Sequence, residues 1–517
     1  MAYLALVDIP GIKEYVFGTD RLVQIRGASA FLDRWNRFNM RQFLEESPGV
    51  DQVEAVFAGG GAGEFILQAR EGEATAALNN LADRLRIDSQ GGLSLVFGLA
   101  PYQEGGYKSA RDQAFQELRA RKENPRLWGE PLIHTGYIRE CDTCSGMAAV
   151  IQEYGGESWL LCDTCKEKLA WGRDRGHFLE YGRFQGWDDD QTRTWRPRDF
   201  EEIGLRSRTG HTALVYADGN TMGRIIKEIK EKEHFHLFSQ TVEACLKKAC
   251  HEALKKHCEP RPYSSGGEEP ESKVPADILL LGGDDLVVYL AAETALPFAL
   301  DAAKWFMDLT QVELAKDQFF KDLLQGGGLT FSLGIAIGKS HTPVVLMLEQ
   351  AQELLRSAKE KGATDSKGGP YYSPAYMDYH FTSYFNQVRV KDCRDTHLLR
   401  LEAKPLRLTA KPYSLEDAQA IWDQARKLAE ADFPRSRLYA LGTAPTKGKI
   451  NATLECLTIW GRTKAKEHRQ LVGEALNLCG DPIMFPWRED HLGFNTGLLD
   501  LMEMVELVVL SPPTGEG

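Results

Sequence analysis

Two adjacent carboxylates, Asp284 and Asp285, stand in the stretch Asp277–Leu290, DILLLGGDDLVVYL, between two apolar runs. Gly282 and Gly283 ahead of them permit a tight turn and close approach of a ligand to the backbone. The acids therefore fall at a hairpin tip on the rim of a sheet. Adjacent carboxylates repel unless a cation lies between them or solvent screens them. An ordinary Asp-rich turn answers the same pattern, so the hairpin alone leaves both readings standing. Asp218 favours the cation. It follows the strand ALVYA, Ala213–Ala217, and precedes Gly219 and Asn220, where a helix begins. If that strand shares a sheet with the hairpin, three carboxylates converge at one edge. Oxygen ligands of this kind suit Mg²⁺ or Mn²⁺, with phosphates completing the shell. A pair of such ions lowers the barrier to attack of a 3′-hydroxyl on an α-phosphate.

A second constellation is built from sulfur. Cys141-x-x-Cys144 and Cys162-x-x-Cys165 both read CDTC and are seventeen residues apart. Tight pairs place thiolates close together, and a hairpin between them closes a tetrahedral site. A redox pair or free thiols are the alternatives, and neither accounts for two evenly built pairs. With every position filled by Cys, the pattern predicts a structural Zn²⁺. The other six of the ten cysteines are scattered without paired spacing. That use of cysteine fits a reducing cytoplasm and not a disulfide scaffold.

A chain of 517 residues, 43% hydrophobic, has room for roughly three to five domains with packed cores. No apolar run reaches the roughly 18 residues needed to span a membrane. The opening MAYLALVDIPGIKEYVFG lacks a basic start and a small-residue cleavage site, so it reads as a strand and helix of the fold. A net charge of −12 argues against gripping long nucleic acid alone, although a local basic groove stays open.

The elements that must position these residues repeat. Ala5–Val7 and Ala213–Val215 both read ALV, and aligning them sets Pro10 opposite Asp218. The hairpin VFAGGGAGEFIL, Val56–Leu67, parallels LLLGGDDLVVYL, with Gly-Gly-Ala-Gly read in place of Gly-Gly-Asp-Asp. Asp8 and Glu64 then stand off the aligned positions. Leu93–Ala100 parallels Leu329–Ala336, and the following helices set Lys122 opposite Lys359. Each half reads strand, helix, hairpin, strand, helix, which predicts a layered α+β sheet with helices packed on one face. The first half lacks the acids and is expected to be catalytically silent. The predicted domains are a degenerate first unit over 1–127, a zinc-ribbon and linker over 128–208, the acid-bearing unit over 209–375 and a helical region over 376–517. Glu259–Pro275 reads as a loop, and the tail SPPTGEG as frayed. Lys359 could reach a triphosphate or be solvated. Ser332 could contact a base or bond within the sheet.

ADGNTMG (Ala217–Gly223), LLGGDDLVVY and SLGIAIGKSHTPVVLMLEQAQELLRSAKEKG resemble the catalytic palm of the large subunit of type III CRISPR effector complexes, a family related to the diguanylate cyclases. The opening DIPGIKEYVFGTDRLVQIRGASAFLDRW is similar to that family's degenerate first palm, the CDTC pairs stand where it carries a zinc ribbon, and FPRSRLYAL resembles its C-terminal helical domain. The resemblance implies two ferredoxin-like palms around a shared pocket, a zinc ribbon and a helical domain. It implies synthesis of cyclic oligoadenylates from ATP, triggered by target RNA bound with crRNA to a complex of several subunits. Asp218, Asp284 and Asp285 match the metal-binding acids. Gly282 and Gly283 match the nucleotide-facing glycines, and Asn220, Ser332 and Lys359 match nucleotide contacts more loosely. Many members begin with a His-Asp nuclease domain. This sequence begins at the first palm strand, so no nuclease is expected, and standalone or homo-oligomeric action stays open. The rival readings are a catalytically idle structural or RNA-sensing subunit and a GTP-using, diguanylate-cyclase-like enzyme.

Overall fold

The computed structural model describes residues 1–123, 139–146, 150–154, 157–174, 176–264, 270–366, 369–382, 389–481 and 486–508. The tail expected to fray, and the centre of the Glu259–Pro275 loop, lie outside them.

The first palm runs β1 (Ala2–Asp8), α1 (Ile12–Phe17), α2 (Leu22–Arg34), α3 (Met40–Glu45), β2 (Val50–Gly59), β3 (Ala62–Ala69), α4 (Glu71–Asp88), β4 (Val96–Tyr102) and α5 (Tyr107–Glu123), with a π-helical turn over Trp35–Asn39 between α2 and α3. Its sheet is ordered β2-β3-β1-β4 and antiparallel. This is the ferredoxin-like arrangement.

The zinc-ribbon and linker region adds β5 (Val150–Tyr154), β6 (Glu157–Leu161), α6 (Asp163–Asp174), α7 (His177–Gln185), α8 (Asp189–Trp195) and α9 (Phe200–Leu205). Helix α6 crosses α2 at a pair of glycines. A Cβ at Gly27 would stand 1.7 Å from Lys168 O, and one at Gly172 1.7 Å from Val23 O. Only bare backbones meet that closely, so the ribbon is seated tightly on the first palm.

The second palm comprises β7 (His211–Gly219), α10 (Met222–Glu228), α11 (Lys232–His257), β8 (Arg261–Tyr263), β9 (Glu271–Lys273), β10 (Ala276–Gly282), β11 (Asp285–Ala291), α12 (Ala292–Leu314), α13 (Gln318–Leu323), β12 (Phe331–Lys339) and α14 (Val344–Asp365). Glu259–Pro275, expected as a loop, instead contains a strand pair, β8 with β9, around its centre. β13 (Tyr376–Phe381) runs parallel to β12, so the sheet continues past residue 375. The C-terminal region then holds α15 (Val390–His397), β14 (Leu399–Arg400), β15 (Leu406–Arg407), β16 (Tyr413–Ser414), α16 (Leu415–Glu430), α17 (Arg435–Thr443), α18 (Lys449–Arg462), α19 (Lys466–Cys479), β17 (Arg488–Asp490), β18 (Gly493–Asn495) and α20 (Leu498–Leu507). The second-palm sheet is ordered β10-β11-β7-β12-β13-β16.

Helices do not keep to one face, as the repeat suggested. Leu214 and Tyr216 of β7 join a core with Ala351 and Leu355 of α14. Ala213, Val215 and Ala217 join the opposite core with Ala299 and Phe306 of α12. Both faces are buried, which is why the strand is apolar almost without a break.

The duplication is visible in the packing. A Cβ at Gly98 of β4 would lie 1.9 Å from Ala114 O of α5, and one at Gly334 of β12 would lie 2.0 Å from Ala351 O of α14. Each glycine lets its helix lie directly on the strand. Gly334→Ala is expected to destabilise the fold by about 2–3 kcal/mol, read as a lower urea midpoint at unchanged slope.

Candidate functional site

Strand pairing assembles the acids. Asp218, near the end of β7, lies directly opposite Asp285, the first residue of β11, and on its other side opposite Ser332 of β12. Gly282 pairs with Asp285 across the turn Gly283–Asp284. Gly283 has φ +61°, the left-handed region that favours glycine. A Cβ at Gly219 would stand 2.8 Å from Asp284 Oδ2, so that carboxylate leans over the backbone just after Asp218. The three acids therefore stand at one end of the sheet, with carboxylates less closely gathered than the four cysteines Cys141, Cys144, Cys162 and Cys165.

The edge is electrostatically loaded. Burial, then the neighbouring Asp285, pushes the Asp284 carboxyl up to about 6. Asp285 is raised by burial as well, against the pull of Lys13 and a hydrogen bond donated by Tyr216. The Tyr216 hydroxyl donates to Asp285 Oδ1 at 3.1 Å. Lys13, on α1 of the first palm, stands 4.8 Å above the Tyr216 ring. Lys359 forms an ion pair with Asp218 and donates to Gly219 O at 2.9 Å. Burial, then the nearby Lys13, lowers its ammonium to about 8. Burial thus disfavours the charged form of both hairpin acids and of Lys359, and the carboxylate oxygens are donors of the kind that fits a hard divalent cation.

Asn220 and Ser332 are engaged with protein. Asn220 Nδ2 donates to Thr330 Oγ1, and Ser332 Oγ donates to Asn220 Oδ1, each at 3.0 Å. Both residues are buried and brace the strand ends behind the acids.

The first palm repeats half of the site. Asp8 lies opposite Ala62 of β3 and Val96 of β4, the places that Asp285 and Ser332 take opposite Asp218. The residue equivalent to Asp218 is therefore Asp8 and not Pro10. Strand pairing likewise sets Gly59-Gly60-Gly61-Ala62 against Gly282-Gly283-Asp284-Asp285, one residue away from the Gly-Gly-Ala-Gly reading. Lys122 pairs with Asp8 at 2.7 Å, as Lys359 pairs with Asp218. The first palm keeps an aspartate–lysine pair and lacks both hairpin acids. Glu64 is buried and occupied by Tyr107 and Arg111, away from this edge.

The two hairpin tips touch. A Cβ at Gly60 would lie 3.8 Å from Gly283 N, so little more than backbone separates the palms there. Beside them is a cavity of about 290 Å³ whose lining includes Lys13, Asn36, Gly60, Gly282 and Asp285. Asn36 sits in the π-helical turn, and its Oδ1 is buried without a hydrogen-bond partner among the described residues. Lys13, Tyr216 and Asn36 escaped the sequence reading. For Tyr216, its place two residues before Asp218 was a usable signal, because alternate strand residues share a face.

The four cysteine ligand atoms lie within 4.8 Å of one another, and Cys144 and Cys162 are 3.6 Å apart at sulfur. A tetrahedron with bonds of about 2.3 Å has edges near 3.8 Å, so the set fits Zn²⁺. Cys141 N donates to Gly146 O at 2.6 Å, and Asp142 Oδ2 accepts from Leu160 N at 2.6 Å, tying the first pair to β6. Among the described residues, this is the one group of three or more His, Cys, Asp or Glu that gathers so closely. Chelation is expected to release one Zn²⁺ per chain and open residues 139–174 to protease while the palms stay protected. Dye-coupled metal release followed by limited proteolysis would check it.

Residues 211–367 match the family model described as Cas10/Cmr2, second palm domain. No curated protein matches the sequence. Among solved structures, a Csm1–Csm4 cassette in complex with cA3 aligns at TM-score 0.59 and 14% identity, covering 98% of this chain and 70% of that one. A cassette with one ATP gives 0.58 and 13%, covering 98% and 70%. A cassette with cA4 gives 0.57 and 15%, covering 90% and 65%. The chain thus spans 65–70% of the length of these relatives. No helix among the described residues is long and apolar enough to cross a membrane. Residues 211–367 are thus similar to the second palm domain of Cas10/Cmr2, in a chain that shares the fold of Csm1.

Proposed function

We propose that the chain is a nucleotidyltransferase that joins ATP units into cyclic oligoadenylates, acting in the cytoplasm within a type III CRISPR effector complex whose crRNA-paired target RNA triggers it. The observation that carries this reading is the placing of Asp218, Asp284 and Asp285 at one end of the sheet, facing a glycine hairpin without acids. The likeness to Csm1 chains solved with ATP, cA3 and cA4 supports it.

The three acids would hold Mg²⁺ or Mn²⁺, which supplies Lewis-acid stabilisation of charge on the triphosphate and the attacking hydroxyl. Tyr216 orients Asp285 by its hydrogen bond. Lys13 offsets the repulsion between the hairpin acids. Lys359, held at the same edge, is placed to neutralise a triphosphate. The hairpin glycines leave room for a nucleotide against the backbone, with one nucleotide on each palm. The unpartnered Asn36 Oδ1 is an acceptor. It suits an amino group of a bound base, such as the exocyclic amine of adenine.

The test is incubation of the chain, alone and assembled with partner subunits, crRNA and target RNA, with all four nucleoside triphosphates and Mg²⁺ or Mn²⁺. Mass spectrometry is expected to find cyclic adenylates and released pyrophosphate. Absence of both under every condition would refute the reading. Asn36→Leu is expected to raise KM for ATP about tenfold with little change in kcat.

The hold of Lys359 on Asp218 favours a second reading, an idle scaffold. It predicts no Mg²⁺-dependent ATP binding, which calorimetric titration decides.

A further inference from the structure

The corner where α17, α18 and α19 meet carries charge opposite to that of the whole chain. Phe433–Gln470 holds eight lysines and arginines against two glutamates, in a chain of net charge −12. Lys447 pairs with Glu455, and Lys449 stands over the Phe494 ring. The other six, Arg435, Arg437, Arg462, Lys464, Lys466 and Arg469, make no ion pair among the described residues.

Two of these are oriented by hydrogen bonds. Arg437 Nη1 donates to Thr463 Oγ1 at 3.5 Å, and Arg469 Nε donates to Thr463 O at 2.9 Å. Thr463 is buried in the turn between α18 and α19. Both guanidiniums therefore gather at that turn, where Arg462, Lys464 and Lys466 are exposed. Fixed guanidiniums lose less freedom on meeting an anion than free ones.

Beside them lies a flat aromatic surface. Trp460 is 43% exposed. Its Nε1 is 3.4 Å from where a Cβ at Gly473 would stand. The indole thus lies against α19 one turn from Arg469 and is partly open to solvent.

We propose that this corner binds single-stranded nucleic acid, its phosphates on the α18–α19 cations and one base stacked on Trp460. An acidic protein surface would satisfy the charge alone. An open indole beside unpaired guanidiniums favours a polynucleotide, because every base offers a face to stack. The proposal stands independently of the cyclase reading, since no residue in it belongs to the palm site.

The test is fluorescence polarisation of labelled oligo(U) and oligo(dT), about 15 nucleotides long, with the full chain. With five contacts, affinity is expected to fall about 100-fold between roughly 50 and 200 mM salt. Reversing Arg462, Lys464 and Lys466 to Glu is expected to lower affinity at least tenfold at low salt and to flatten the salt dependence. These side chains are exposed, and an unchanged melting temperature would confirm an intact fold. Glutamine in the same three places should give a smaller loss. Trp460→Ala is expected to weaken binding about tenfold and leave the salt slope unchanged. Equal binding of both oligomers indicates reading of the shared backbone, whereas preference for oligo(U) adds contacts to the 2′-hydroxyl. If neither oligomer binds at low salt, the proposal is overturned and the corner is left to an acidic protein. Binding that ignores the charge reversals also overturns it.

Discussion

Replacing Asp284 and Asp285 together by asparagine is expected to abolish ATP condensation, by on the order of 10³-fold or more, while making the metal-free protein more stable at neutral pH. Both effects come from one cause. The hairpin acids are pressed together at a half-buried edge, and burial with mutual repulsion raises Asp284 to about 6 and Asp285 in the same direction. An unfolded aspartate titrates near 3.9. Below that pH the carboxyl is protonated in both states and the site costs nothing. Between roughly pH 4 and pH 6 the folded state binds more protons, so stability falls as pH rises, and above about pH 6 the whole cost is present. Asparagine removes it. Screening by solvent at this edge reduces the gain to about 1 kcal/mol at pH 7.5, and it should vanish by pH 4. Urea melts at both pH values, set beside product assays, check the pair of effects. Loss of stability at pH 7.5 would mean that the acids hold the hairpin together instead of straining it.

The parts of this site carried by local chemistry were legible in the sequence. Two CDTC pairs and a Gly-Gly-Asp-Asp turn are readable because short spacing constrains where their side chains go. The internal duplication was legible for the same reason, since glycines such as Gly98 and Gly334 recur in matching strands ahead of a helix. Register was not. The ALV match slid the first strand by two residues, because matching short apolar runs does not fix which residues pair across a sheet. Only the pairing of Asp8 with Ala62 and of Asp218 with Asp285 identifies Asp8 as the counterpart. Lys13 and Asn36 were hidden for a different reason. Each lies in a helical turn of the first palm and acts beside the second, and such a contact leaves no periodic trace. The burial of both sheet faces could have been read from HTALVYADG, whose unbroken apolar run differs from the alternation of a half-exposed strand.

The relation between the palms, on which the shared cavity depends, leads to the second large expectation. Arg26→Ala should destabilise the chain by about 3–5 kcal/mol, and Asp277→Ala by a similar amount. Arg26 lies on α2 of the first palm and Asp277 on β10 of the second, with side chains 2% and 0% exposed. The guanidinium donates through Nε to Asp277 Oδ2 at 3.1 Å and through Nη2 to Pro197 O at 2.9 Å, and a second Nη2 bond closes the pair. Asp277 Oδ1 accepts from Ile278 N at 2.8 Å. The pair thus ties first palm, linker and second palm at one buried point, and removing either partner strands a charge where water does not reach. A matched apolar pair, Arg26→Met with Asp277→Leu, should recover most of the stability, because desolvating two charges consumes much of what their attraction returns. A double-mutant cycle by urea denaturation measures the coupling. β10 leads into the acid-bearing hairpin, and α2 leads into the turn that holds Asn36. The apolar pair is therefore expected to keep the fold but loosen the angle between the palms, raising KM for ATP more than it lowers kcat. An unchanged KM in a fully stable double variant would show that the hairpin tips set the cavity by themselves.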